Sequence, residues 1–271
     1  MKKRYFVFML IMACLCNTAF AQKRKRKPAP KPKPQPVQIS AAELLYRNML
    51  GATAKVMFID SVVVDKSLFL SAIPLNPEAG TLVSYPAFFK VHQHLDGSVY
   101  ENEFKNAIYF SMGDSTERMG IFTADRMGTQ WSEPLKLREI GSEFEQQNYP
   151  FLMTDGVTLF FAAKGANSLG GYDLFMTRKD AETGKFFQPE NYGMPFNSTA
   201  NDYLLAIDEI DNLGWLVSDR YQPEGMVCIY TFVPTAQRLA FKEGEVSTEQ
   251  LEGFAKLTSI ANTWAFGNRE K

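Results

Sequence analysis

Short apolar strands recur along this chain at an interval slightly above 50 residues, and a sequence that repeats itself at that spacing has few folds open to it. Ile108-Tyr109-Phe110-Ser111 returns as Leu159-Phe160-Phe161-Ala162 and, more loosely, as Trp215-Leu216-Val217-Ser218. A second strand follows each: Gly120-Ile121-Phe122-Thr123, Asp173-Leu174-Phe175-Met176 and Cys228-Ile229-Tyr230-Thr231. The first anchors, Phe110, Phe161 and Leu216, lie 51 and 55 residues apart; the second, Phe122, Phe175 and Tyr230, lie 53 and 55 apart. Connecting segments match too, since Gln130-Trp131-Ser132-Glu133-Pro134 parallels Phe186-Phe187-Gln188-Pro189-Glu190. Gly or Asp-Gly turns precede several strands, and the runs are rich in β-branched and aromatic residues. Repeats of several short strands predict an all-β body with minor α, a small β-propeller over 52–240, with units near 105–156, 157–210 and 211–233.

Two helices bracket that body. Ser40 and Glu43 form an S-x-x-E cap for a helix over 39–51, with Gly51 at its stop. Ser247 and Gln250 cap a second helix within the 241–271 tail, whose apolar positions from Leu251 run at helical spacing toward Trp264. The β body has room for three to four units, and four is the smallest usual number for a closed propeller. The alternative is an incomplete ring, capped by the terminal helices or by a partner. Three units are visible, so a fourth blade must draw on 52–104, where Val56–Ile59, Ser61–Val64 and Leu68–Leu70 are strand candidates. Unpaired edges invite aggregation, so this segment is expected to pack beside the last repeat, with the helices covering exposed core.

Residues 149–210 carry a more specific signal. Asp155-Gly156-Val157-Thr158-Leu159-Phe160-Phe161-Ala162-Ala163, Gly170-Gly171-Tyr172-Asp173-Leu174-Phe175 and Pro189-Glu190-Asn191-Tyr192-Gly193-Met194-Pro195-Phe196-Asn197-Ser198 resemble the WD40-like, TolB-type β-propeller repeat. The resemblance is fair over 105–148 and degenerate over 211–233. Ala162 stands where the pattern has Ser, Phe186-Phe187 replaces its Trp, and Pro223-Glu224-Gly225 stands for a Gly-Gly turn. The resemblance implies a repeat motif at Asp155, Gly156, Phe161, Gly170, Gly171, Asp173, Phe175, Pro189, Asn191, Gly193 and Asn197. It also implies an exported Gram-negative envelope protein, periplasmic or associated with the outer membrane.

The N-terminus agrees with export. Lys2, Lys3 and Arg4 precede an apolar run from Phe6 to Leu15 that is too short to span a bilayer, and Ala19-Phe20-Ala21 is a cleavage pattern. A signal peptide over 1–21 would leave Gln22 first; lipoprotein processing at Cys14 and a retained anchor are the rivals. Cleavage removes Cys14 and Cys16, so Cys228 is left without an internal disulfide partner. Residues 22–38 hold seven basic side chains, no acid and five prolines, an extended spacer that either serves only as a linker or touches anionic envelope polymers or lipid headgroups. Without those two segments 19 basic residues face 30 acidic ones, a charge near −11 that excludes a nucleic-acid grip.

Catalytic chemistry is hard to assemble from what remains. Nucleophilic catalysis needs a histidine, and only His92 and His94 exist; H-x-H lacks a placed third metal ligand, and solvated histidines are the alternative. Gly165, Gly170 and Gly171 lack the Lys and helix of a phosphate loop, and no other cofactor motif is present. Asp155, Asp173, Asp202, Asp208, Asp211 and Asp219 read as turn formers bonded to backbone, with cation or acid–base roles as alternatives. Asn197-Ser198-Thr199 also matches a glycosylation triplet. No catalytic, cofactor or metal residue is therefore assigned. The expected function is a non-catalytic envelope module binding a protein or glycan partner; an exported carbohydrate-active enzyme with carboxylates in the funnel is the alternative. The intact mass of envelope-extracted protein should correspond to a chain starting at Gln22; a diacyl or triacyl mass on Cys14 would contradict that expectation.

Overall fold

Each pair of repeated strands becomes a hydrogen-bonded hairpin, and the aligned anchors meet across it. Phe110 pairs with Phe122, Phe161 with Phe175, and Leu216 with Tyr230. The computed structural model describes residues 39–91, 97–113, 118–141 and 143–267. The leader, the spacer, the Ala21–Gln22 junction and both histidines lie outside these residues. The described chain is mostly β with minor helix, arranged in antiparallel sheets none of which closes on itself.

In chain order, α1 (Ala41–Gly51) leads to β1 (Met57–Asp65), α2 (Phe69–Ala72), β2 (Thr81–Ser84), α3 (Tyr85–Phe89) and β3 (Ser98–Glu101). The repeated region follows with β4 (Ala107–Met112), β5 (Gly120–Met127), β6 (Gln130–Trp131), β7 (Leu135–Lys136), β8 (Phe144–Leu152), β9 (Thr158–Gly165), β10 (Asp173–Arg178) and β11 (Glu190–Asn191). β12 (Asp202–Asp208), β13 (Leu213–Ser218), β14 (Met226–Val233) and α4 (Thr248–Lys256) complete it. Sheet one runs β2-β3-β4-β5-β6 with β7 beside β5, sheet two β11-β10-β9-β8, and sheet three β1-β14-β13-β12. The meanders of sheets two and three start one strand ahead of the repeated hairpin, with β8 and β12, and that of sheet one starts two ahead, with β2 and β3, a phase that the repeat period leaves free.

Three sheets form among the described residues where the length of the β body led us to expect about four. Residues 52–104 make no sheet of their own, because the flanking sheets take their strands. β1 pairs along β14 from Met57↔Val233 to Asp65↔Met226, covering the edge that the last repeat would otherwise expose. The first two strand candidates, merged into β1, thus lie beside the C-terminal repeat as the sequence led us to expect, whereas Leu68–Leu70 is no strand: Leu68 caps α2 and Phe69 and Leu70 begin it, turned inward by the packing of Phe69. β2 and β3 complete sheet one instead.

The segment between β1 and β2 ties sheets three and one together. Phe69 of α2 packs edge-on to Tyr149 of β8 (5.4 Å) and lies 6.4 Å from Tyr203 of β12. Asn76 donates its N–H to Asp208 (3.0 Å), and the Ala79 carbonyl accepts the Tyr100 hydroxyl (3.1 Å). Gly80 is required here: its φ is +103°, and a Cβ would sit 2.6 Å from the Tyr100 ring.

Sheet two is covered on both faces. Phe161 and Phe175 stack at 6.1 Å, with Phe144 edge-on to both, while Phe160 meets Tyr192, which leads through Phe196 to Phe58 and Phe232 of sheet three. Sheet one has a second small core of Val99, Ile108, Phe110 and Ala124 beneath Tyr85, Phe88 and Phe89 of α3. α1 and α4 meet over Met194 through Met49 and Ala255. Ser40 accepts the Glu43 N–H, and Ser247 with Gln250 forms the full reciprocal box.

The second helix stops sooner than its apolar spacing suggests. α4 ends at Lys256, Leu257 takes a left-handed φ of 53°, and the chain resumes as a 3-10 segment, Ile260–Phe266. That segment is drawn onto the edge of β1, where Thr263 accepts the Phe58 N–H and the Trp264 indole donates to the Phe58 carbonyl. Replacing Phe161 or Phe175 by Ala should cost about 3–5 kcal/mol in denaturant unfolding; a loss below about 1 kcal/mol would contradict their place in the core.

Candidate functional site

The implied motif residues separate into three places. Asp155 builds the turn before β9, accepting the N–H groups of Val157 and Thr158 (2.8 Å each) and the Thr158 hydroxyl (2.7 Å), with Gly156 at φ +66°. Burial alone would raise its carboxyl, but those Thr158 and Val157 bonds, with Arg178 nearby, hold it below the usual carboxylate range. Phe161 and Phe175 are core, and Pro189 lies half-buried just before β11. Gly170, Gly171, Asp173, Asn191, Gly193 and Asn197 converge at the seam between sheets two and three.

Close backbone approach explains the two glycines. A Cβ on Gly170 would sit 2.4 Å from the Ala200 carbonyl oxygen, and one on Gly171 would overlap the Asn201 side chain. The Gly171 N–H donates to Ala200, the Asp202 N–H donates to the Tyr172 carbonyl (2.7 Å), and Tyr172 donates to the Asn201 side chain (3.1 Å). The seam between sheets one and two has the same construction. Gln147 donates its N–H to the Met119 carbonyl (3.0 Å), and Met119 donates to the Gln146 side chain (3.2 Å).

Beneath the glycines lies a buried polar lattice. Asp173 accepts the Leu169 N–H (2.9 Å) and the Asn191 amide (2.8 Å); Asn191 in turn accepts from Gly193 and from the Asn197 amide. Asn197 brackets Leu174, accepting its N–H and donating to its carbonyl. It is fully buried with its amide committed, so the glycosylation triplet is not an available acceptor. Burial pushes the Asp173 carboxyl up to about 7, with the Asp202 charge adding and the Leu169, Asn191 and Gly170 donors pulling it back.

Arg220 closes the lattice. Its guanidinium reaches Asp202 (2.5 Å), Ser218 (3.0 Å) and the carbonyls of Pro195 (2.8 Å) and Phe196 (2.6 Å), while the other Asp202 oxygen accepts the Ser198 N–H and hydroxyl. Alongside it Asp219 accepts from Asn201 and the Tyr203 hydroxyl. Arg220 and Asn201 escaped the sequence reading. The available signals were an Asp-Arg pair directly after the strand Leu213–Ser218 and an Asn-Asp pair opening β12.

A cavity of about 360 Å³ opens against this lattice, walled by Tyr46, Met194, the 197–200 segment, Arg220, Tyr221, Ala255 and Lys256. Asp173 and Asp202 are both fully buried, so neither reaches a substrate. Cys228 is buried with its thiol pushed up by burial, the opposite of an activated nucleophile. Among the described residues no group of three or more His, Cys, Asp or Glu side chains is placed to hold a metal ion. Comparison with protein-family models, curated proteins and solved structures finds no match.

The raised Asp173 carboxyl has a measurable consequence. The unfolded chain loses this proton near 3.8 and the folded protein near 7, so stability falls as pH rises between about pH 4 and 7 and levels off above. Asp173→Asn should remove that part of the slope in unfolding measured from about pH 5 to pH 8; parallel wild-type and variant profiles would show that Asp173 ionises normally.

Proposed function

We propose that this chain is an exported, non-catalytic module of the cell envelope, a small propeller-like body that binds a protein or glycan partner and holds it in an assembly. The observation that carries the reading is the use made of the buried polar residues. Asp173, Asn191, Asn197, Asp202 and Arg220 spend their hydrogen bonds on one another and on the backbone of strands and loops at the seam, which supports a scaffold rather than a reaction centre. The matching bonds at both seams, and the Phe69–Ala79 segment that ties sheet three to sheet one, support a propeller-like circuit of three sheets. Export and the envelope rest on the leader pattern, the Lys/Pro spacer and the repeat resemblance. The spacer adds a basic arm to an acidic body, suited to anionic polymers or headgroups.

Crosslinking in intact cells, followed by envelope fractionation, tests this. The expected result is a processed protein in the periplasmic or outer-membrane fraction with a reproducible crosslinked partner. An unprocessed cytosolic protein would overturn export, and glycan cleavage lost in Asp219→Asn would favour the enzyme reading.

A further inference from the structure

The cavity beside the Arg220 lattice is equipped beyond what joining sheets requires. A guanidinium has five N–H donors, and the protein uses four of those on Arg220: one on Nε, one on Nη1 and two on Nη2. The remaining Nη1 hydrogen has no acceptor among the described residues, and Arg220, only 3% exposed, forms part of the cavity wall. A buried donor of this kind calls for an acceptor oxygen.

The other walls narrow the class of molecule that would bring it. Tyr46 comes from α1 and Tyr221 from the loop after β13, so two elements distant in sequence each contribute an aromatic ring. Thr199 adds a hydroxyl group, that of Ser198 being committed to Asp202 and the Ala200 N–H, and Met194 and Ala255 add apolar surface. Tyr221 holds a left-handed φ of 62°, uncommon for a bulky side chain, and its hydroxyl donates to the Lys256 carbonyl (2.9 Å). The two cations at the cavity are already matched, Arg220 by Asp202 and Lys256 by Glu252. A cationic ligand would meet two positive groups, and an anionic one would meet no free cation. Aromatic faces beside a hydroxyl and a spare N–H suit a ring with apolar C–H faces and oxygen-bearing edges, and the volume lies within the range of small-ligand pockets.

We propose that this cavity binds a neutral sugar residue of an envelope glycan. The proposal rests on the binding-module reading and gives it a site: the sugar ring lies between Tyr46 and Tyr221, and one of its oxygens accepts the free Arg220 N–H. The seam between sheets two and three then serves as the floor of a recognition site.

A printed array of defined neutral bacterial saccharides, probed with the purified protein, tests it, followed by calorimetry with the saccharide bound most strongly. Thr199→Trp, which fills the mouth from an exposed position, should weaken binding about tenfold or more with an unchanged thermal midpoint, and Tyr221→Ala should weaken it by a similar factor. Phe187→Ala, exposed outside the cavity, should bind as the wild type does. An array that captures nothing overturns the proposal. Equal binding by all the variants also overturns it, but leaves the binding-module reading standing with its sugar site elsewhere. A peptide from a display library whose binding is blocked by Thr199→Trp would assign the cavity to a protein partner and overturn it too.

Discussion

One backbone hydrogen bond, made at both seams, sets the relation of each sheet to the next. The residue just before the second strand of a hairpin presents its carbonyl to an N–H on the first strand of the following sheet: Met119 to Gln147, and Tyr172 to Asp202. Such a bond forms only if two main chains come within 3 Å over a stretch that is otherwise side-chain packing. This demand dictates the glycines at 170 and 171. It also forces polar side chains into the interior, because loops that approach so closely carry N–H and C=O groups that water cannot reach. Asp173, Asn191, Asn197 and Arg220 are the answer to that problem. A buried ion pair adds little net stability when its bonds are complete, and losing one partner is costly because the other charge stays behind. The lattice therefore acts as an all-or-none lock on the angle between sheets two and three.

Much of this was legible in the sequence, and the parts that were share a cause. Strand pairs repeat because each sheet must bury the same faces, so Phe110 with Phe122 and Phe161 with Phe175 announce themselves through spacing alone. The caps at Ser40 and Ser247 are local chemistry, readable over three residues. The Asp155-Gly156 turn is equally local.

The number of sheets was not legible, because it depends on where strands go rather than on where they are. Residues 57–65 and 81–101 look like the start of a further unit, yet the exposed edge of β14 and the incomplete sheet around β4 compete for them and win. The end of α4 was hidden for a related reason. The apolar spacing from Leu251 to Trp264 is real, but Thr263 and Trp264 bind Phe58, more than 200 residues away in sequence. Arg220 stayed invisible because nothing near it in sequence discloses Asp202 and the Pro195 and Phe196 carbonyls as its partners.

The pairing of β1 with β14 has a kinetic side. The strand that completes sheet three is synthesised first among the strands, and its partner is synthesised last, so closing this pair spans nearly the whole β body. Non-local pairings of that length fold slowly, since the chain must be ordered before the contact rewards it. Until β14 arrives, Asp60-Ser61-Val62-Val63-Val64-Asp65 is an orphan strand of high β propensity. The acids at its two ends are therefore gatekeepers: their charges oppose stacking between chains, and Asp60 occupies the N–H of Ser61 that a stray strand would seek. The same six residues serve the finished sheet as its outer rim and the growing chain as its guard against self-association.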